Sequence, residues 1–250
     1  MDTLVPPPGE GRVYRSQRRV RLSEMDAAGR LRLDTVARYL QDVAIDDVDE
    51  TGWGAPEHVW VVRWYRIEVL EPFLTDREVS LATWCSASAS HAAGRRTSQQ
   101  GDRGGRIEAD SVWIHLDPAG RPARLEGFGV YTPSTEGRRA STRLSLPDPP
   151  ADAPRTPWQL RWADVDLMGH VNNAVYWAAV DERLPTLEID PEQPYRMMLE
   201  FRRPIDLDDD VELLDHEGDG WTEVAFAVGR DVRAVARVES LAAARPLRVE

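Results

Sequence analysis

Hydrophobic and polar residues alternate along this chain with two periods, and the pair of periods occurs twice. From Leu33 to Val48 the apolar positions fall three and four apart, which predicts a helix with one buried face. The same spacing returns at Val175, Tyr176, Ala179 and Val180 and predicts a second helix from Asn173 to about Leu187. Behind each helix come β-rich runs. His58–Val69, Glu78–Ser86, Gly94–Gln100 and Arg106–Leu116 follow the first; Tyr195–Phe201, Val211–Asp215, Thr222–Gly229 and Arg233–Leu241 follow the second. Gly101-Asp-Arg-Gly-Gly105 and Asp117-Pro-Ala-Gly120 have turn composition.

The two halves also match residue by residue. Arg21-Leu-Ser-Glu-Met-Asp-Ala-Ala-Gly-Arg30 aligns with Arg161-Trp-Ala-Asp-Val-Asp-Leu-Met-Gly-His170, with Arg, an acid, an apolar residue, Asp and Gly in register. Arg66–Val79 then aligns with Met198–Val211, after a shorter connection in the second copy. Two matching blocks in one order indicate a tandem duplication. One helix per copy has an apolar face, and only the sheet is large enough to cover it. The fold expected is therefore α+β, each unit a curved antiparallel sheet wrapped around one long helix, with the two sheets able to join edge to edge. Residues 1–132 form the first unit, 133–157 a linker rich in Pro, Ser, Thr and Arg, and 158–250 the second unit.

Candidate chemistry concentrates between Arg161 and Trp177. Gly169 permits a sharp turn, and Asn172 or Asn173 is a good N-cap for the helix that follows. A helix entered this way points unpaired N–H groups and partial positive charge at whatever precedes it. Asp166 and His170 precede it. The N–H groups around Gly169 to Val171, with Asn172 and Asn173, form a candidate oxyanion site for a carbonyl oxygen gaining negative charge.

Composition narrows the function. A net charge of −12 argues against a general nucleic-acid binder. An acidic partner would need a local arginine patch, and the candidates are Arg18-Arg19-Val-Arg21, Arg95-Arg96, Arg103 with Arg106, and Arg138-Arg139. There is no lysine, so all 31 basic residues are arginine, and the only asparagines are Asn172 and Asn173. That an amide persists there hints that the position needs one. A single cysteine, Cys85, excludes an internal disulfide and a cysteine metal cluster, so no metal or other cofactor is expected. No apolar run reaches the roughly 18 residues of a membrane helix, and the first residues lack signal-peptide pattern. The expected setting is the cytoplasm.

The pattern Asp164-x-Asp166-x-x-Gly169-His170-Val-Asn-Asn-x-x-Tyr176 resembles the signature of hotdog-fold thioesterases. The duplicated layout, with Leu199-Glu-Phe-Arg-Arg203, is similar to the acyl-acyl carrier protein thioesterases of plants and bacteria. Tyr39-Leu-Gln-Asp-Val-Ala44, Val59-Trp-Val-Val-Arg63, Trp84 and Val112-Trp113 fit the first copy. The resemblance implies a tandem (double) hotdog that hydrolyses fatty acyl thioesters to free fatty acid and carrier thiol. Acyl carrier protein is the first expected carrier and coenzyme A the alternative. It further implies that the second copy is catalytic and that the first lines much of the acyl pocket. Asp166 and His170 fall at the family's catalytic Asp and His. Two positions depart. Met168 stands where the motif has Asn, and Pro204-Ile205 stand where a catalytic Glu follows the Arg-Arg pair. Those departures keep open a rival, a non-catalytic acyl-binding hotdog protein. A monomer acting as its own pseudo-dimer, or a homodimer, fits the duplication.

Each candidate has a structural reading beside the chemical one. Asp166 reads as general base or nucleophile, or as a turn cap like its counterpart Asp26. His170 could orient water or donate to the departing thiolate, or bond to backbone; its counterpart is Arg30, so one site per chain is expected. Asn172 and Asn173 read first as caps. Asp164 and Glu200 pair with Glu24 and Glu68 and read as structural, although Glu200 is the acid nearest to the missing Glu. Cys85 reads as a small core residue. Tyr176, Trp177 and most of the nine tryptophans read as packing before pocket lining.

Overall fold

A computed structural model describes residues 4–53, 59–184 and 190–241. Within them the first unit contains β1 (Tyr14–Arg19), α1 (Leu33–Thr51), β2 (Val59–Glu71), β3 (Glu78–Ser88), β4 (Ala92–Gly101) and β5 (Arg106–Leu116). The second contains β6 (Arg155–Trp158), α2 (Asn173–Asp181), β7 (Tyr195–Phe201), β8 (Val211–Gly218), β9 (Trp221–Val228) and β10 (Asp231–Ser240). All the strands join in one sheet of order β1-β3-β4-β5-β2-β7-β10-β9-β8-β6. The order reads the same from either end once β1 to β5 are exchanged for β6 to β10. The seam is the antiparallel pair β2 and β7, from Trp64 opposite Glu200 to Val69 opposite Tyr195. Joining there closes one open edge of each unit. This is the tandem hotdog expected.

The strands follow the sequence expectation with their ends shifted by at most three residues, mostly outward, while β9 and β10 stop one residue short. His58, and the 185–187 end of the second helical run, lie outside the described residues. Two strands are additional. β1 is so polar that it reads as an arginine patch, and β6 carries Pro157. Both are outermost strands, where a neighbour on one side suffices and proline is tolerated. β6 begins at Arg155, so the linker ends before it and not at Pro157.

The helices differ for a physical reason. α1 buries Leu33, Val36, Ala37, Leu40 and Val43 on one stripe and leaves Ile45 exposed. It stops at Gly52, whose φ of 61° lies in the left-handed region that ends helices. α2 buries Ala174, Val175, Tyr176, Trp177, Ala179 and Val180, which surround most of its circumference. A helix apolar on nearly every side is one enclosed by protein, here by the sheet and by α1. The two helices run antiparallel, each supplying a polar group to the other's start. Gln41 Nε2 donates to Asn173 Oδ1 at 2.6 Å, and the Leu33 N–H donates to Asp181 Oδ2 at 3.0 Å.

The opposite face of the sheet combines apolar cover, where Leu214, Ala225 and Val235 pack under Leu146 and Ala153 of the linker, with a band of charge. Glu68 takes Arg66 and Arg196, Arg196 also takes Glu239, and Arg237 pairs with Glu223 across β2, β7, β10 and β9. Asp110 on β5 lies on this face without an ion pair within reach among the described residues. Burial pushes its carboxyl up to about 6, against the opposing pull of Arg96, Ser86 and the Ser111 N–H. A carboxyl raised on folding adds stability below its unfolded pKa and loses it as pH rises through the folded value. Asp110→Asn is therefore expected to stabilise the chain at pH 7.5 by about 1–3 kcal/mol, with the gain vanishing near pH 4. Urea denaturation of both chains at the two pH values measures it.

Candidate active site

The stretch from Arg161 to His170 forms a short 3-10 turn followed by a tight loop, and Arg21 to Arg30 does the same in the first unit. In each, the acid three residues after the arginine closes the turn: Glu24 Oε2 accepts the Arg21 N–H at 2.6 Å, and Asp164 Oδ2 accepts the Arg161 N–H at 2.8 Å. Asp164 is buried and bound to Arg161, which gives it a structural task. Gly29 and Gly169 occupy the same corner with φ of 79° and 81°, a region costly for a residue with a Cβ. The chain then crosses to the sheet, where Arg30 bridges Leu74 and His170 bridges Asp206.

The two loops part company at their aspartates. Asp26 is fully engaged: Oδ1 accepts the Ala28 and Arg30 N–H groups, both at 2.8 Å, and Oδ2 holds the Arg30 guanidinium. Asp166 spends only Oδ1, on the Met168 N–H at 2.8 Å. Its Oδ2 has no partner among the described residues. His170, in place of Arg30, turns away to Asp206, with Nδ1 2.7 Å from Oδ1. An ionised carboxylate only accepts, so Nδ1 carries the proton and Nε2 of the neutral ring is left as an acceptor. Asp206 is the residue that sequence reasoning missed. Its signal was present, because the aligned position in the first copy is the apolar Leu74.

The helix start also differs from expectation. The Gly169 N–H donates to Asp166 O at 3.0 Å and the Val171 N–H to Ile205 O at 2.8 Å, so neither is available to a substrate oxygen. Asn172 is the N-cap, its Oδ1 accepting the Ala174 N–H at 2.9 Å. The Asn173 N–H is left without an acceptor among the described residues, beside the Gln41 amide that grips its side chain. The Asn172 N–H is likewise spent on Asp164 O at 2.8 Å, so of the four expected donors Asn173 is the candidate that remains. Asn172→Ala is expected to cost about 1 kcal/mol by releasing that geometry, measurable as a shift in the urea midpoint.

Tyr176 completes the mouth. It is buried, no described residue bonds its hydroxyl, and burial with Asp166, Asp206 and Asp209 nearby pushes its ionisation up, while Arg233 opposes. Other candidates fall elsewhere. Glu200 faces the opposite side of the sheet, where it accepts from the Ser145 and Leu146 N–H groups and the Ser145 hydroxyl and so pins the linker. Cys85 is buried and its thiol is pushed up to about 11, which leaves it unreactive. Trp84 and Trp177 are fully buried packing, whereas Trp162 is exposed. Most of the arginine patches are spent on ion pairs, Arg18 on Asp42 and Asp46, Arg95 on Asp47, and Arg96 on Glu108. Met168 and Leu167 stand exposed at the tip of the loop. Of the two cavities described, one lies at the start of α1 and one under the linker, and neither is lined by Asp166 or His170.

Residues 11–125 match the model of the acyl-ACP thioesterase N-terminal domain, and residues 148–244 that of the C-terminal domain. The chain belongs to the acyl-ACP thioesterase family. Membership makes it a fatty acyl thioester hydrolase. An uncharacterized protein of Mycobacterium tuberculosis is 33% identical over 95% of this chain and 96% of its own length. The palmitoyl-acyl carrier protein thioesterase of Arabidopsis thaliana chloroplasts is 26% identical over 81% of this chain, which spans 56% of that longer protein. Among solved structures, an acyl-ACP thioesterase from Bacteroides thetaiotaomicron superposes with a TM-score of 0.73 at 17% identity, over 91% of this chain and 97% of that one. The 12:0-ACP thioesterase of Umbellularia californica does so at 0.72 and 18%, over 91% and 96%. At such identities the superpositions speak for the fold alone. Among the described residues no helix is long and apolar enough to cross a membrane.

Proposed function

We propose that the chain hydrolyses acyl-acyl carrier protein thioesters at the mouth of α2, in the second unit. Asp166 Oδ2 takes a proton from water as the water oxygen attacks the thioester carbonyl. The Asn173 N–H, at the positive end of α2, polarises the carbonyl oxygen. His170, held in one tautomer by Asp206, helps move the proton to the departing thiolate. The observation that carries this reading is the contrast within one molecule. The same turn ties up both oxygens of Asp26 with Arg30, yet leaves one oxygen of Asp166 open beside an oriented imidazole.

The departures at Met168 and Pro204 weigh less once Asp206 is seen, because it restores an acid next to His170. Exposed Leu167 and Met168 give the loop an apolar tip on which a carrier docks. Matched acyl-carrier protein and acyl-coenzyme A donors of one chain length test the carrier. A kcat/KM about 10-fold or more in favour of the carrier protein is expected, as 1.4 kcal/mol of added docking energy would give. Equal or reversed preference removes the carrier assignment while leaving thioester hydrolysis in place.

A further inference from the structure

The duplication exchanges the starts of the two helices. Leu33 opens α1 as Asn173 opens α2, and Gln41 and Asp181 stand at matching places further along. Because the helices run antiparallel, each of these side chains meets the start of the other helix. What they do there differs by one functional group. Asp181 is an acid, which when ionised only accepts, and its Oδ2 takes the Leu33 N–H at 3.0 Å. The start of α1 is closed in this way. Gln41 carries an amide on a side chain one carbon longer. Its Nε2 reaches past the backbone and donates to Asn173 Oδ1 at 2.6 Å. The Asn173 N–H is left over, and so is the second N–H of Gln41 Nε2, for which no described residue supplies an acceptor. Gln41 and Asn173 are both half-buried, so these donors are open to a ligand. How close position 41 comes to the helix start is shown by its counterpart Asp181, which sits within hydrogen-bond reach of the backbone N–H.

We propose that Gln41 is a catalytic residue of the α2 site, its spare Nε2 N–H holding the thioester carbonyl oxygen together with the Asn173 N–H. The proposal rests on the reading of the chain as a thioester hydrolase with Asp166 as base, and it makes the site one to which both units contribute. As the water oxygen bonds to the carbonyl carbon and its proton passes to Asp166, the carbonyl oxygen becomes negative. It takes both N–H groups without accepting a proton. The carbon–sulfur bond then breaks, the carbonyl reforms, and the charge leaves on the sulfur, which receives its proton through His170. Two donors in fixed places stabilise the negative oxygen more than the neutral carbonyl. The same contrast gives a reason for one site per chain. At the start of α1 the acid spends the N–H and sets a negative charge where the oxyanion would form.

Three variants of the full chain test it, with kcat and KM read from thiol release well below every melting temperature. Gln41→Met keeps the stem and removes the donor, so kcat falls about 100-fold with KM little changed. Gln41→Glu keeps the shape, and its carboxylate can accept from the Asn173 amide once that group turns over. A role confined to holding the Asn173 side chain is restored by Glu, whereas a donor is not, and kcat stays low. Gln41→Asp copies Asp181, takes the Asn173 N–H and lowers kcat at least as far as Gln41→Met while the melting temperature holds. The proposal is overturned if Gln41→Glu or Gln41→Asp keeps the unsubstituted kcat, or if the loss in Gln41→Met lies in KM. An unsubstituted chain that releases no thiol, or a rate indifferent to Asp166→Asn, overturns the underlying hydrolase reading and this proposal with it.

Discussion

Asp166→Asn lowers thioester hydrolysis about 100-fold or more, the range in which a positioned general base contributes. The substitution is almost neutral for the fold. Oδ1 remains to accept the Met168 N–H, so the turn keeps its cap, and only the open second oxygen loses its basicity. Thiol release read on chains of equal melting temperature separates the two effects. The loss is expected in kcat with KM little changed, because the carboxylate acts on water and not on the acyl chain or carrier. A variant that keeps full kcat would return Asp166 to the role of Asp26, a cap for its own turn.

Trp177→Ala is the most damaging single change expected for stability. Trp177 is fully buried on α2, and its ring stands edge-on to Tyr65 at 6.3 Å, next to the seam of the sheet. Its indole N–H has no partner among the described residues, so truncation breaks no hydrogen bond. The loss is one of volume and of contacts in a site enclosed by α1 and the sheet, which cannot collapse without moving both units. About 3–5 kcal/mol is expected, read as the urea midpoint at unchanged m-value. A loss under about 1 kcal/mol, the cost of an ordinary surface change, would mean that the two units pack less tightly than described.

The duplication made most of this fold legible. Two helical runs, the β runs behind them and the aligned turns were readable because their periodicity is strong and a repeat gives every feature a second witness. The edge strands were not, since β1 and β6 face solvent and their composition follows that exposure. The site was half readable. Asp166, His170 and Asn172 stand in one local run, whose turn chemistry depends on nearest neighbours. Asp206 and Gln41 come from elements distant in sequence and are brought in by the sheet bridge and the helix pair, which no local pattern encodes. Which of the four oxyanion candidates keeps a free N–H has the same origin. Whether an N–H is free depends on Ile205, and that partner lies across the sheet.

Hydrolysis at Asp166 is tested most directly by free fatty acid measured against released thiol when the purified chain is given acyl-carrier protein thioesters of graded chain length. Continuous turnover is predicted for at least one length, with acid and thiol in equal amounts and a collapse of the rate in Asp166→Asn. Stoichiometric binding of every thioester without release of either product would contradict it and leave a protein that holds acyl groups without cleaving them.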